Sequence, residues 1–289
     1  MTPFELLEPR TLQEAVGLLD PDDANVRPVA GGTALMLMMK AGVFAPTRLI
    51  SLHRIEPEYS SMTFAASGEL HVGAMVTLSR LERNKQLAVA FPVIAQMLPQ
   101  LSNVRVRNVS CVGGALAHGD PHMDLPPVLA ALGATVAIAG PKGSREVAVE
   151  SLYTGYYETV LGRNELIAGV TVPALAGRKA GYLKITARSA DDWPALGVAV
   201  AFGVDSGKLR GVRVVASAAT AMLVRLTDAE RILDGASADD ATLKAAGDAA
   251  AAQAPIMGDI RGSVAYKREL LRIGVGRAVR QALAGKTAH

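Results

Sequence analysis

Two glycine-centred runs, Val29-Ala30-Gly31-Gly32-Thr33-Ala34 and Val109-Ser110-Cys111-Val112-Gly113-Gly114-Ala115, carry the clearest chemistry in this sequence. A glycine pair lets the backbone turn through positive φ and presents no Cβ to hold a ligand away. Successive N–H groups in such a turn make a concavity for anions, phosphate oxygens above all. Each run follows an apolar segment that reads as a strand. Two such loops suggest a grip on the two phosphates of one dinucleotide. The Rossmann and Walker patterns are both absent. Gly274-Val275-Gly276 has Val279 where the third glycine belongs and lies inside a helical pattern, and Gly140 to Ser144 lacks the Walker spacing.

Other residues could do chemistry but read more simply. His118-Gly119-Asp120-Pro121-His122-Met123-Asp124 offers two imidazoles and two carboxylates at alternate positions, a metal donor set if the segment is extended. Gly119 and Pro121 argue against a regular strand, His118 can serve a backbone carbonyl, and Asp124 stands where it would cap the next helix. The segment is better read as polar groups facing whatever the second glycine run binds. Cys111 shows no His–acid partnership and reads as a small buried thiol. Trp193 lies between Asp191-Asp192 and Pro194, which suggests a loop aromatic able to face a ring system. Met36, Met38 and Met39 read as helix core, and the basic residues Lys267, Arg268, Arg272, Arg277 and Arg280 as a solvated helix face.

The elements that must position these residues follow from patterning. Thr11-Leu12-Gln13-Glu14 is a capping box opening a helix through Leu18 and Leu19. Val26 to Ala30 reads as a strand, Leu35 to Lys40 as a helix and Arg48 to Leu52 as a strand, so residues 1 to about 55 form a βαβ-like unit. Leu70 to Ala74 opens a second unit, with helices capped by Thr77 and over Pro92 to Leu101. Val109 to Val112 enters the second glycine run, and a helix over Asp124 to Leu132 follows. A hairpin turns at Gly140-Pro141-Lys142-Gly143, and Leu166 to Val172 is a strand. Ala174 to Ala180 is the best boundary. Beyond it Tyr182 to Ala187, Val198 to Val204 and Val212 to Ala216 predict three antiparallel strands, and the remainder is helical.

Composition limits the function classes. The 289 residues suffice for two or three domains, half are apolar, and the net charge is +3. Dispersed charge, five Phe and one Trp give neither the basic tract nor the stacking platform of a nucleic-acid binder. One cysteine cannot form an internal disulfide or hold an iron–sulfur cluster. Neither a signal peptide nor a membrane span is visible, which points to the cytoplasm.

Four blocks, in order, give the chain a resemblance over essentially its whole length. They are Pro28 to Leu35; Val106 to Ala117 leading to Asp124-Leu125-Pro126; Tyr182 to Asp191; and Asp259 to Arg268. Together they resemble the FAD-binding medium subunits of the molybdenum hydroxylases, the group of xanthine dehydrogenase, carbon monoxide dehydrogenase and the aromatic-acyl-CoA reductases. The resemblance implies an α+β chain. Its PCMH-type FAD-binding region spans 1–177, with subdomains about 1–55 and 56–177, and a C-terminal domain of a three-stranded antiparallel sheet with helices spans 178–289. It implies non-covalent FAD, with the pyrophosphate held by the backbone of Ala30, Gly31, Gly32, Thr33 and Ala34 and of Cys111, Gly113, Gly114 and Ala115. Asp124 matches an acid at the adenosine ribose and Ile167 a backbone contact on the flavin side. Lys184 matches a cation near the isoalloxazine, and Trp193 a variable residue beside the ring. The chain departs from the family at Cys111, in place of Thr or Ser, at Ala115, in place of Asn or Ser, and at Thr33-Ala34, in place of His or Gln followed by Ser. Side-chain contacts there are therefore in doubt, while backbone cradling survives.

The resemblance also implies a function without an acid–base pair, nucleophile or metal ligand on this chain. A large molybdopterin-binding subunit would oxidise the substrate, and a small subunit with two [2Fe–2S] clusters would pass electrons to this FAD and on to an external acceptor. The assembly would be a dimer of heterotrimers, a heterohexamer. A free-standing FAD-dependent oxidase or reductase of the same superfamily, and a non-catalytic nucleotide-binding module, remain alternatives.

Overall fold

The computed structural model describes residues 3–285. Its first unit runs β1 (Glu5–Leu7), α1 (Leu12–Leu18), β2 (Val26–Val29), α2 (Thr33–Lys40) and β3 (Arg48–Ser51), with a parallel sheet in the order β1-β3-β2. Thr11 Oγ1 caps α1 by accepting from the Glu14 N–H at 3.0 Å. The Glu14 carboxylate reaches one residue further back than a capping box requires and accepts from the Arg10 N–H at 2.8 Å. Leu12, Ala15 and Val16 of α1 close a small core with Val26 and Ile50. Strand β1 is an addition to the expected unit, too short at three residues to leave an alternating pattern.

The second unit contains β4 (Met62–Phe64), β5 (Leu70–Gly73), α3 (Leu78–Glu82), α4 (Lys85–Ala90), α5 (Pro92–Met97), α6 (Val104–Val109), α7 (Val112–Ala117), α8 (Leu125–Leu132), β6 (Thr135–Gly140), β7 (Gly143–Ala148), β8 (Tyr153–Gly155), β9 (Glu158–Thr159) and β10 (Leu166–Val172). Its sheet runs β4-β5-β10-β6-β7, with antiparallel neighbours. The expected strand ahead of the second glycine run is not there. The V-R-V-R alternation from Val104 imitates a strand, but the Asn103 carboxamide accepts from the N–H groups of Arg105 and Val106 and starts a helix. Arg107 then anchors that helix, pairing with Glu82 at 2.8 Å and donating to the Leu101 carbonyl at 3.2 Å.

The third unit holds β11 (Lys179–Ile185), β12 (Leu196–Asp205), β13 (Lys208–Ser217), β14 (Val224–Arg225), α9 (Thr227–Leu233), α10 (Asp240–Gln253) and α11 (Val264–Ala284). Its antiparallel sheet runs β11-β12-β13-β14, the expected three strands plus a two-residue fourth. Alternation along β12 and β13 serves two cores at once. Ala199, Ala201 and Val215 join the core of the second unit, which includes α8, whereas Val198, Val200, Phe202 and Val214 join the core with α9, α10 and α11. All eight residues of α8 are buried. The basic face of α11 is not uniformly solvated as expected. Lys267 is 1% exposed, and its ammonium donates to the Ala218 carbonyl and pairs with Asp259.

Candidate functional site

The two glycine runs meet in space. A Cβ on Gly31 would stand 1.9 Å from the Val109 carbonyl oxygen, so the backbones touch only because Gly31 has none. Thr33 Oγ1 and Ser110 Oγ are hydrogen-bonded at 2.9 Å across the same junction. Gly32 has φ +68° and forms the N-cap position of α2, so Thr33 and Ala34 belong to the first helical turn. The second run likewise forms the start of α7, with Cys111 at its N-cap position.

Backbone N–H groups decide what this junction can bind. The Val112 and Gly113 N–H groups donate to the carbonyls of Val76 and Ala74, and the Ala115 N–H to that of Cys111. The first N–H groups of a helix have no partner within it. Those of Thr33, Ala34 and Leu35 fall in this class, with the helical ladder of α2 starting at the Met36 N–H, and so does that of Gly114. A Cβ at Gly114 would meet nothing within 4 Å, so this position opens onto free space. The anion-binding capacity therefore rests on the first turn of α2 and on Gly114.

A cavity of about 360 Å³ adjoins the junction. It is lined by every residue that the resemblance assigns to the cofactor: Ala30, Gly31, Gly32, Thr33, Ala34, Cys111, Gly113, Gly114, Ala115, Asp124, Ile167, Lys184 and Trp193. Ile167 lies at a register shift in the β10–β6 pairing, between Ile167 and Gly169, and such bulges re-aim side chains beside sites. The cavity also takes in residues that the sequence did not single out, among them Arg27, Phe44, Leu101 and Ser102. The Arg27 guanidinium stands 5.8 Å from the Phe44 ring centroid, a pairing between distant positions that no local pattern reveals. Met38 faces the cavity and is part-exposed, so of the expected methionine core only Met39 is buried. Cys111 is buried, and desolvation pushes its thiol up despite a hydrogen bond from the Gly31 backbone.

Two polar networks edge the cavity. Asp124 occupies the N-cap position of α8, but its side chain makes no capping bond there. Instead one oxygen accepts from the Tyr182 hydroxyl at 2.6 Å and the other from the Lys184 ammonium at 3.0 Å, with Lys184 also donating to the Gln100 carbonyl at 2.6 Å. Burial pushes the Asp124 carboxyl up, against the opposing pull of Lys184 and Tyr182. In the second network His122 Nδ1 lies 2.9 Å from Asp120 and Nε2 3.0 Å from Asp259. These contacts occupy the imidazole that a metal would need, and among the described residues no group of three such side chains is arranged to hold a metal ion. His118 packs edge-on against Tyr157, with centroids 5.2 Å apart.

Comparison with known proteins places two family models end to end on the chain. The FAD binding domain in molybdopterin dehydrogenase matches residues 2–175, and the CO dehydrogenase flavoprotein C-terminal domain matches residues 181–282. The carbon monoxide dehydrogenase medium chain of Hydrogenophaga pseudoflava is 32% identical over 283 residues, 97% of each chain. The glyceraldehyde dehydrogenase medium chain of Sulfolobus acidocaldarius is 28% identical over 270 residues, 93% of this chain and 95% of the relative. A solved structure of the carbon monoxide dehydrogenase of Hydrogenophaga pseudoflava superposes with a TM-score of 0.94 at 32% identity, over 99% of this chain and all of that one.

Proposed function

The chain belongs to the FAD-binding medium subunits of the molybdenum hydroxylases, and from that membership we propose that it relays electrons between partner subunits and an external acceptor. In this reading a small subunit with two [2Fe–2S] clusters delivers electrons. A large molybdopterin-binding subunit oxidises the substrate, and NAD⁺, a quinone or oxygen takes the electrons away. The assembly is a dimer of heterotrimers in the cytoplasm. Among the described residues no helix is long and apolar enough to cross a membrane. The domain division falls near residue 177, with an FAD-binding region of two subdomains ahead of it.

FAD supplies a carrier that exchanges electrons singly or in pairs. The observation that carries the reading is the junction of the two glycine runs. Its unpaired N–H groups border a cavity whose wall is shared by apolar residues and the Asp124–Lys184 and Asp120–His122 networks, and Gly114 leaves open the space that a Cβ would take. The Thr33, Ala34, Leu35 and Gly114 N–H groups hold the pyrophosphate. Because the Asp124 carboxylate and the Lys184 ammonium are 3.0 Å apart, they serve one stretch of the cofactor and not its two ends. Tyr182 and the Gln100 carbonyl hold that pair in place, and Trp193 borders the ring system.

Affinity purification of the chain from its native host tests this reading. The expected product is yellow, with flavin absorbance, and carries molybdenum and iron on co-purifying large and small chains. A solitary flavoenzyme that reduces its own substrate overturns the subunit reading, and a colourless chain that binds no FAD overturns the cofactor assignment.

A further inference from the structure

His122 does more than line the cavity. Its ring is 6% exposed, and each nitrogen faces a carboxylate oxygen, Asp120 on the loop ahead of α8 and Asp259 on the turn ahead of α11. A neutral imidazole has one donor and one acceptor nitrogen, whereas an ionised carboxylate only accepts. Both hydrogen bonds are therefore made at once only by the imidazolium form. The neighbours keep both acids ionised. Burial would raise Asp259, but hydrogen bonds from Lys267, His122 and the Arg261 N–H outweigh it and hold the carboxyl at about 2. Burial would likewise raise Asp120, yet its bonds with His122 bring it below the ordinary carboxylate range.

The same ring seats the single tryptophan of the chain. The His122 and Trp193 rings stack with centroids 5.8 Å apart and 14° between planes, and the Arg261 guanidinium lies 5.0 Å from the indole centroid. Trp193 is 44% exposed and lines the cavity, which places it at the mouth. The other charged or titratable groups around this cluster include Lys267 beyond Asp259, Tyr157 and His118 beside Asp120, and Asp192, which accepts from the Trp193 N–H at 2.8 Å.

We propose that His122 is a positioning residue for the cofactor cavity. Held between both acids, it ties the loop that follows the second glycine run to the turn ahead of α11 and seats Trp193 against the mouth. The part of this proposal that concerns cofactor retention rests on the FAD reading above. A side chain without two opposed donors on one ring leaves Asp120 or Asp259 without its partner, and the indole without the ring it stacks on.

Trp193 reports on this directly, because its indole stacks on the His122 ring. The test uses the full chain without added FAD, with the surroundings of the indole read by its emission wavelength and by acrylamide quenching. His122→Gln is expected to shift emission to longer wavelength and raise the quenching constant, and the exposed His71→Gln variant to leave both at the wild-type values. Asp259→Asn, which keeps the ring and loosens one end of the bridge, is expected to move both in the same direction by less, and it decides where His122→Gln fails to fold. Emission and quenching unchanged in these variants overturn the proposal. With FAD loaded, release is expected to be faster from His122→Gln and Asp259→Asn than from wild type, and equal rates overturn the link to cofactor retention. Failure of the wild-type chain to load FAD at all overturns the functional reading instead, and leaves the fluorescence result standing.

Discussion

Gly114 and Gly31 sit on the two sides of the same junction, yet replacing them by alanine should have opposite consequences for the empty chain. At Gly114 the added methyl meets nothing within 4 Å, and the residue lies in the helix α7 with no positive φ. Glycine in a helix interior costs roughly 0.5–1 kcal/mol relative to alanine, so Gly114→Ala should stabilise the FAD-free chain by up to about that much. In the proposed cradle the same methyl would stand where the pyrophosphate approaches and would block the Gly114 N–H. Losing one hydrogen bond to a charged group, worth about 1.5–3 kcal/mol, weakens FAD binding by about tenfold to a hundredfold. Gly31→Ala puts its methyl 1.9 Å from the Val109 carbonyl oxygen and 2.6 Å from the carbonyl carbon. The two backbones must part, at a cost of about 1–3 kcal/mol or more for forced overpacking. Urea unfolding of the FAD-free chains and titration with FAD, followed by quenching of flavin fluorescence, separate the two effects. If Gly114→Ala binds FAD as wild type does, or loses stability as Gly31→Ala does, the assignment of Gly114 to the phosphate cradle is wrong.

Two further perturbations follow from the buried polar groups. Asp124→Ala leaves the Lys184 ammonium, whose side chain is 2% exposed, without its counter-charge, so the FAD-free chain should lose about 3–5 kcal/mol in urea unfolding. A loss under about 1 kcal/mol would show that the pair is not needed by the fold. Asp259, held at about 2 in the folded chain against ~3.9 unfolded, contributes stability above about pH 4 that fades as pH falls towards 2. In acid titration of unfolding, Asp259→Asn should lose the slope in that window, and an identical wild-type slope would count against the bonds from Lys267 and His122.

What was legible in the sequence was what local chemistry determines. Thr11 and Thr77 each cap a helix through a bond to an N–H three residues on, and the expected hairpin turns at Pro141-Lys142. The two glycine runs stood out because the required absence of a side chain is itself a sequence signal. The failures arose where distant contacts outweigh local pattern. Alternating valine and arginine at Val104 to Arg107 looks extended, but the long reach of Arg107 to Glu82 and to loop carbonyls holds a helix. Asp124 has the position of a helix cap, but Tyr182 and Lys184, some sixty residues away, claim its oxygens first. Lys267 looked like one more solvated cation, and only the turn at Asp259 explains its burial. The second network could have been suspected from one oddity, two acids and two histidines in a segment otherwise built of small residues.

Strand β10 has a consequence for the order of events in folding. It pairs Val172 with Leu70 and Val170 with Val72, closing a loop of about a hundred residues within which the second glycine run lies. Contacts this distant in sequence form slowly, because the chain loses loop entropy before any pairing rewards it. On the ribosome both glycine runs emerge long before β10, and before the strand that carries Lys184. The cavity wall is complete only once residues up to Trp193 have been made, so cofactor capture waits for the first strand of the third unit.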